Sequence, residues 1–116
     1  ERLTPTGKRE QYDEFTYKKA IDDTVLDNCF ALEDDHLEVS AKLTGTKGTI
    51  RYWQETGPRK FNYLQVFMQP YGTSIALEHM TCNIDAFNNG DGLAPLAPGE
   101  SLRAKAGIQY FGWEQA

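Results

Sequence analysis

The chain has 116 residues, of which 40% are hydrophobic, 25% charged and 12% aromatic, and it carries a formal net charge of -5. That length suits one domain without a linker, burying roughly two-thirds of its unfolded surface. The acidic balance argues against a nucleic-acid partner, which calls for a basic stripe, and no apolar run reaches the ~18 residues of a membrane-spanning helix.

The first third is the least regular. It starts at Glu1 rather than methionine, as expected of a processed chain or a part of a longer one. "RLTPTGK" reads as a strand end entering a Pro-Thr-Gly turn. The next stretch contains Phe15, Val25, Leu26, Phe30 and Leu32 without sustained alternation, and it is expected to be extended chain with one short strand near 29–33. The polar "EDDH" that follows reads as a turn with His36 as a solvated surface imidazole.

From there strands dominate. Residues 37–43 alternate, with Leu37, Val39, Ala41 and Leu43 on one face and Glu38, Ser40 and Lys42 on the other. "GTKG" (45–48) is a hairpin turn, and 49–56 form a β-branched and aromatic strand. "GPRK" breaks it; 61–69 make the next strand, "PYGT" turns the chain, and 74–82 follow. After a long turn-rich loop, residues 100–111 alternate again, with Leu102, Ala104, Ala106 and Ile108 in phase. No segment has a helical period of helix length. The expectation is an all-β fold, an antiparallel β-sandwich or barrel in a single domain spanning 1–116.

Two cysteines, Cys29 and Cys82, are too few for a disulfide scaffold and lack CxxC spacing. They read as reduced, half-buried thiols of a cytoplasmic protein, with a single bridge left open by the sequence. No cluster suggests a metal, and no cofactor is expected.

Glu78 stands out because it interrupts a largely apolar strand, "IALEHM". Alternation puts Ala76, Glu78 and Met80 on one face and Ile75, Leu77, His79 and Thr81 on the other, which separates Glu78 from its neighbour His79. In the preceding strand Leu64, Val66 and Met68 form a core stripe. Tyr63, Gln65, Phe67 and Gln69 form an aromatic and amide face. Rings for the apolar face of a pyranose and amides for its hydroxyls suit a sugar surface; a solvated outer face has the same pattern.

"IALEHMTCNIDAFNNGDGLAPLAPGES" resembles the C-terminal signature of aldose 1-epimerases, the galactose mutarotase-like family: Glu-Pro-Met-Thr, an Asp/Asn-Ala-Phe-Asn loop, Gly-Leu, then Leu-x-Pro-Gly-Glu-Ser. "PTGK" (5–8), "LDNCF" (26–30) and "YLQVFMQP" (63–70) extend the similarity upstream in order and approximate spacing, over nearly the whole chain. The resemblance implies an antiparallel β-supersandwich. It implies that Glu78 is the catalytic base and that Asp27 and Gln65 bind the sugar. One departure, His79 for proline, is expected to alter the local backbone and not the chemistry.

Mutarotation opens a hemiacetal: a base takes the proton of the anomeric hydroxyl while an acid protonates the ring oxygen, and the ring recloses on the other carbonyl face. Burial beside Ala76, Met80 and the aromatic rings would raise the Glu78 pKa and strengthen it as a base. The family's general acid is a histidine, and an arginine and a second histidine aid binding, all upstream of these motifs. Neither His36 nor His79 stands in such a context, and family members are more than twice as long. The resemblance therefore implies the C-terminal part of an epimerase acting on a glucose- or galactose-type monosaccharide. Alone it would hold the base without the acid and be close to inactive, pairing with the missing N-terminal part or with itself through open sheet edges. Two rival readings are a non-catalytic carbohydrate-binding β-sandwich, which has no need of Glu78, and a hexose-6-phosphate epimerase relative, for which Arg59 and Lys60 are thin support. A third is an interaction domain that works through its edges.

Overall fold

The structure, a computed structural model, describes residues 4–32 and 37–112; His36 lies outside them. Among the described residues, six strands form two three-stranded antiparallel sheets. In chain order they are β1 (Asp27–Ala31), β2 (Glu38–Gly45), β3 (Gly48–Glu55), β4 (Tyr63–Met68), β5 (Ile75–Met80) and β6 (Ala106–Gly112). One sheet has the order β1-β4-β5 and the other β2-β3-β6. The fold is all-β. Among the described residues no helix is long and apolar enough to cross a membrane.

The β2–β3 hairpin closes on the pair Gly45 and Gly48, so Thr46 and Lys47 make a two-residue loop. Gly48 has a φ of +142°, and a Cβ there would lie 2.3 Å from the Phe111 carbonyl oxygen of β6. Only glycine fits that approach.

β4 is paired on both sides, to β1 and to β5. Its extremities continue the ladder: Met68 N–H donates to the Leu26 carbonyl at 2.8 Å, and Leu32 N–H to the Asn62 carbonyl at 2.9 Å. Leu64, Val66 and Met68 form the core with Tyr52 from β3, and Leu26, Phe30, Ile75 and Leu77 pack against it. The expected core stripe is therefore real, and it joins the two sheets through one tyrosine.

Strand ends shift from expectation by one or two residues in most strands, with 61–69 shortened to Tyr63–Met68 and 74–82 to Ile75–Met80, and the first and last strands differ for reasons that can be named. The short first strand starts at Asp27, two residues early, because it follows the length of β4. Residues 100–105 alternate in burial yet do not form a strand, and β6 begins at Ala106. The partner strand explains this: β3 ends at Glu55, whose N–H still reaches the Lys105 carbonyl at 2.9 Å. Beyond it Gly57, with φ +119°, turns the chain away. The long loop also contains a single helical turn, Ala86–Asn89, closed by Gly90 in the left-handed region. At four residues it is too short to give a periodic signal.

Gln54 ties the two sheets together. It is fully buried; its Oε1 accepts from the Tyr52 hydroxyl at 2.6 Å, and its Nε2 donates to the carbonyls of Phe61 and Tyr63 at 2.9 and 3.0 Å. A single amide thus satisfies a buried hydroxyl and two backbone acceptors at the entry to β4. Gln54→Ala leaves the Tyr52 hydroxyl and the Phe61 carbonyl without this partner around a cavity and should cost about 2–4 kcal/mol. Chemical denaturation measures this, and a loss no greater than that of an exposed Gln→Ala change would contradict the clamp.

Candidate functional site

The register of the β1-β4-β5 sheet sets three rows of side chains on the face opposite the core. Asp27, Phe67 and Ala76 form one row, Cys29, Gln65 and Glu78 the next, and Ala31, Tyr63 and Met80 the third. Asp27, Gln65 and Glu78 come from three different strands and meet on one face. Gln65 and Glu78 are direct cross-strand partners, and Gln65 Nε2 donates to Asp27 Oδ1 at 2.9 Å. An ionised carboxylate only accepts, so this bond fixes the amide's orientation. Gln65 is 9% exposed, and among the described residues its Oε1 has no hydrogen-bond partner. A buried acceptor without a donor costs about 1–3 kcal/mol, so the packing around β4 holds this amide at some expense.

Glu78 itself is exposed, which corrects the expectation that Ala76, Met80 and the aromatic rings bury it. The reason is positional. β5 is the sheet's edge, so Glu78 has a cross-strand neighbour on one side only. Asp27, on the other edge strand, is exposed as well. His79 faces the opposite way, its ring 4.5 Å from that of Phe61 and 6.4 Å from that of Tyr52. Arg59 and Lys60 are occupied elsewhere. Lys60 donates to the Arg103 carbonyl at 2.7 Å and pairs with Glu55 at 3.6 Å, while Arg59 lies 3.4 Å from the Pro95 carbonyl.

At the Tyr63 end the face is closed by a network that the sequence reading missed. Arg9 Nη2 bridges both oxygens of Asp91 at 2.8 and 2.7 Å. The Tyr63 hydroxyl donates to Asp91 Oδ1 at 2.9 Å, and Asn83 Nδ2 to Oδ2 at 2.8 Å. These donors, Asn83 first and then Arg9 and Tyr63, hold the Asp91 carboxyl down at about 2. Burial pushes the Tyr63 hydroxyl up, and the Asp91 carboxylate adds to it. Gly92 lies against the Tyr63 ring, where a Cβ would approach within 2.5 Å. A cleft of about 290 Å³ bounded by Arg9, Ala31, Tyr63 and Gly92 opens at this end. Tyr63 lay in phase with Gln65, and that was the one available signal; an ion pair 82 positions apart leaves none.

Cys29 and Cys82 are free and half-buried. Burial pushes the Cys29 thiol up, partly offset by a hydrogen bond with the Ile84 backbone. Among the described residues no group of three or more His, Cys, Asp or Glu side chains could hold a metal ion.

Compared with protein-family models, curated proteins and solved structures, the chain matches none.

The Asp91 carboxyl is depressed in the folded state, so its contribution to stability is present above the ordinary value of 3.8 and lost as pH falls through about 2. Asp91→Asn should flatten the acid limb of a stability-versus-pH curve in that window, with solvent screening keeping the effect modest. An unchanged acid limb, followed by tryptophan fluorescence, would remove Asp91 from the network.

Proposed function

We propose that this chain is the C-terminal part of an aldose 1-epimerase, which interconverts the α and β anomers of a free aldohexose in the cytoplasm. The observation that carries the reading is the meeting of Asp27, Gln65 and Glu78 on one sheet face, with Gln65 oriented by Asp27. These are the residues that the motif resemblance marks. The two sheets, joined by Tyr52 and Gln54, would then be part of a larger β-sandwich of the galactose mutarotase kind.

In this reading Asp27 accepts from one sugar hydroxyl while Gln65, which Asp27 holds in place, contacts another, which sets the ring against the sheet. Glu78, across from Gln65, takes the proton of the anomeric hydroxyl as the bond between the anomeric carbon and the ring oxygen breaks. After the carbonyl turns, the ring oxygen adds to its other face, and Glu78 returns the proton to the carbonyl oxygen as the acid recovers its own from the ring oxygen. The acid that protonates the ring oxygen comes from the upstream part of the polypeptide, and that part would also cover the exposed Glu78. Phe67, 36% exposed beside Asp27, supplies an aromatic surface for the sugar's C–H face.

In the complete enzyme, Glu78→Gln keeps the shape of the side chain and removes the base. Mutarotation followed by polarimetry should fall roughly 10²-fold or more. A rate within about twofold of wild type would take the base role from Glu78. The same protein with Gln65→Ala should bind sugar about 1–3 kcal/mol more weakly by calorimetry, and unchanged affinity would move the sugar off this face.

A further inference from the structure

Among the described residues four strands form sheet edges, and three of them contain charge: Asp27 in β1, Glu38 and Lys42 in β2, Glu78 in β5. β6, "AGIQYFG", has none. Charged side chains and prolines are what normally keep an open edge from pairing, and β6 lacks both. Its large side chains are also exposed, Ile108 at 72%, Tyr110 at 59% and Phe111 at 48%.

The ladder fixes which backbone groups are free. Glu55 N–H donates to the Lys105 carbonyl, and the register is regular from there to Gly112. Lys105, Gly107, Gln109 and Phe111 therefore turn their N–H and C=O groups toward β3, and Ala106, Ile108, Tyr110 and Gly112 turn theirs outward. Among the described residues no strand pairs with that outer side.

We infer that β6 is a self-association edge, joining a second copy of this chain by antiparallel β6-to-β6 pairing about a two-fold axis through Gln109. The parity allows it. In this register the outward residues meet one another, Ile108 with Tyr110 and Ala106 with Gly112, so every free N–H and C=O of the strand finds a partner. The side chains also fit. Ile108 packs beside the partner copy's Tyr110 on the Tyr52 face. On the other face the Phe111 ring lies across from Gly107, over which the Trp53 indole lies, so that an aromatic side chain meets it. The surface is self-complementary, as a two-fold interface requires, and it places no charge opposite a like charge within the strand. The result is a continuous six-stranded sheet. The inference concerns the 116-residue chain and holds whatever that chain does chemically.

Gln109 sits on the axis, so two substitutions test it directly. Gln109 is exposed, and its contact is with Arg51 at 3.1 Å. Gln109→Lys sets two ammonium groups face to face across the axis and should raise the dimer dissociation constant at least about tenfold in sedimentation velocity, with the circular dichroism of a folded β protein retained. Gln109→Cys places two thiols on a non-hydrogen-bonded pair, where the Cα atoms are about 4.5 Å apart and a disulfide can close. Mild oxidation should give a covalent dimer in which peptide mapping joins residue 109 of one copy to residue 109 of the other. A chain that stays monomeric at millimolar concentration overturns the inference. So does a dimer that Gln109→Lys leaves intact, or one whose Gln109→Cys form does not cross-link at that position.

Discussion

Strand β4 is hydrogen-bonded along both sides, and its alternation between two faces governs the rest of the structure. Because it is pinned by β1 and β5, Leu64, Val66 and Met68 point without exception to the core, and Tyr63, Gln65 and Phe67 to the other side. A slip of one residue would put Gln65 into the core and Leu64 or Val66 onto the candidate site. The clamp of Gln54 on the Phe61 and Tyr63 carbonyls fixes where the strand begins. The site is thus a consequence of core packing: the same register that buries one stripe presents the other.

The flanks of that face are held differently. Toward Tyr63 the loop containing Asp91 is tied down by the carboxylate's bonds to Arg9, Tyr63 and Asn83, and by internal bonds such as Asn89 Nδ2 to the Ile84 carbonyl. Toward Phe67 and Glu78 the face is open, because β5 is an edge strand and its side chains lack a second neighbour. The combination is one rigid end and one uncovered end. Under the proposed function Glu78 stands at the uncovered side of the face, and another part of the same polypeptide would complete the site there.

Much of this was legible in the sequence because it depends on period-two alternation. The split of β4 into core and polar faces, the separation of Glu78 from His79, and the two-residue hairpin loop all follow from residue order alone. What was not legible depends on partners distant in the chain. The burial of Glu78 was misjudged because alternation gives the face of a residue and not whether its strand lies at an edge. The strand over 100–105 was overextended because its alternation continues past the point where β3 turns away at Gly57. Gln54 did leave a trace, an amide in phase with Ile50 and Tyr52, and a polar side chain in an apolar stripe signals a buried clamp. Arg9 and Asp91 left none.

The central claim is that Asp27, Gln65 and Glu78 form one sugar-binding face. An amide-resolved NMR titration of the 116-residue chain with glucose and with galactose tests it most directly. The account predicts saturable shifts confined to β1, β4 and β5 around Asp27, Gln65 and Glu78, abolished by Gln65→Leu while the Leu64, Val66 and Met68 signals stay unchanged. Shifts centred on another surface, or none at saturating concentrations of either sugar, would contradict it.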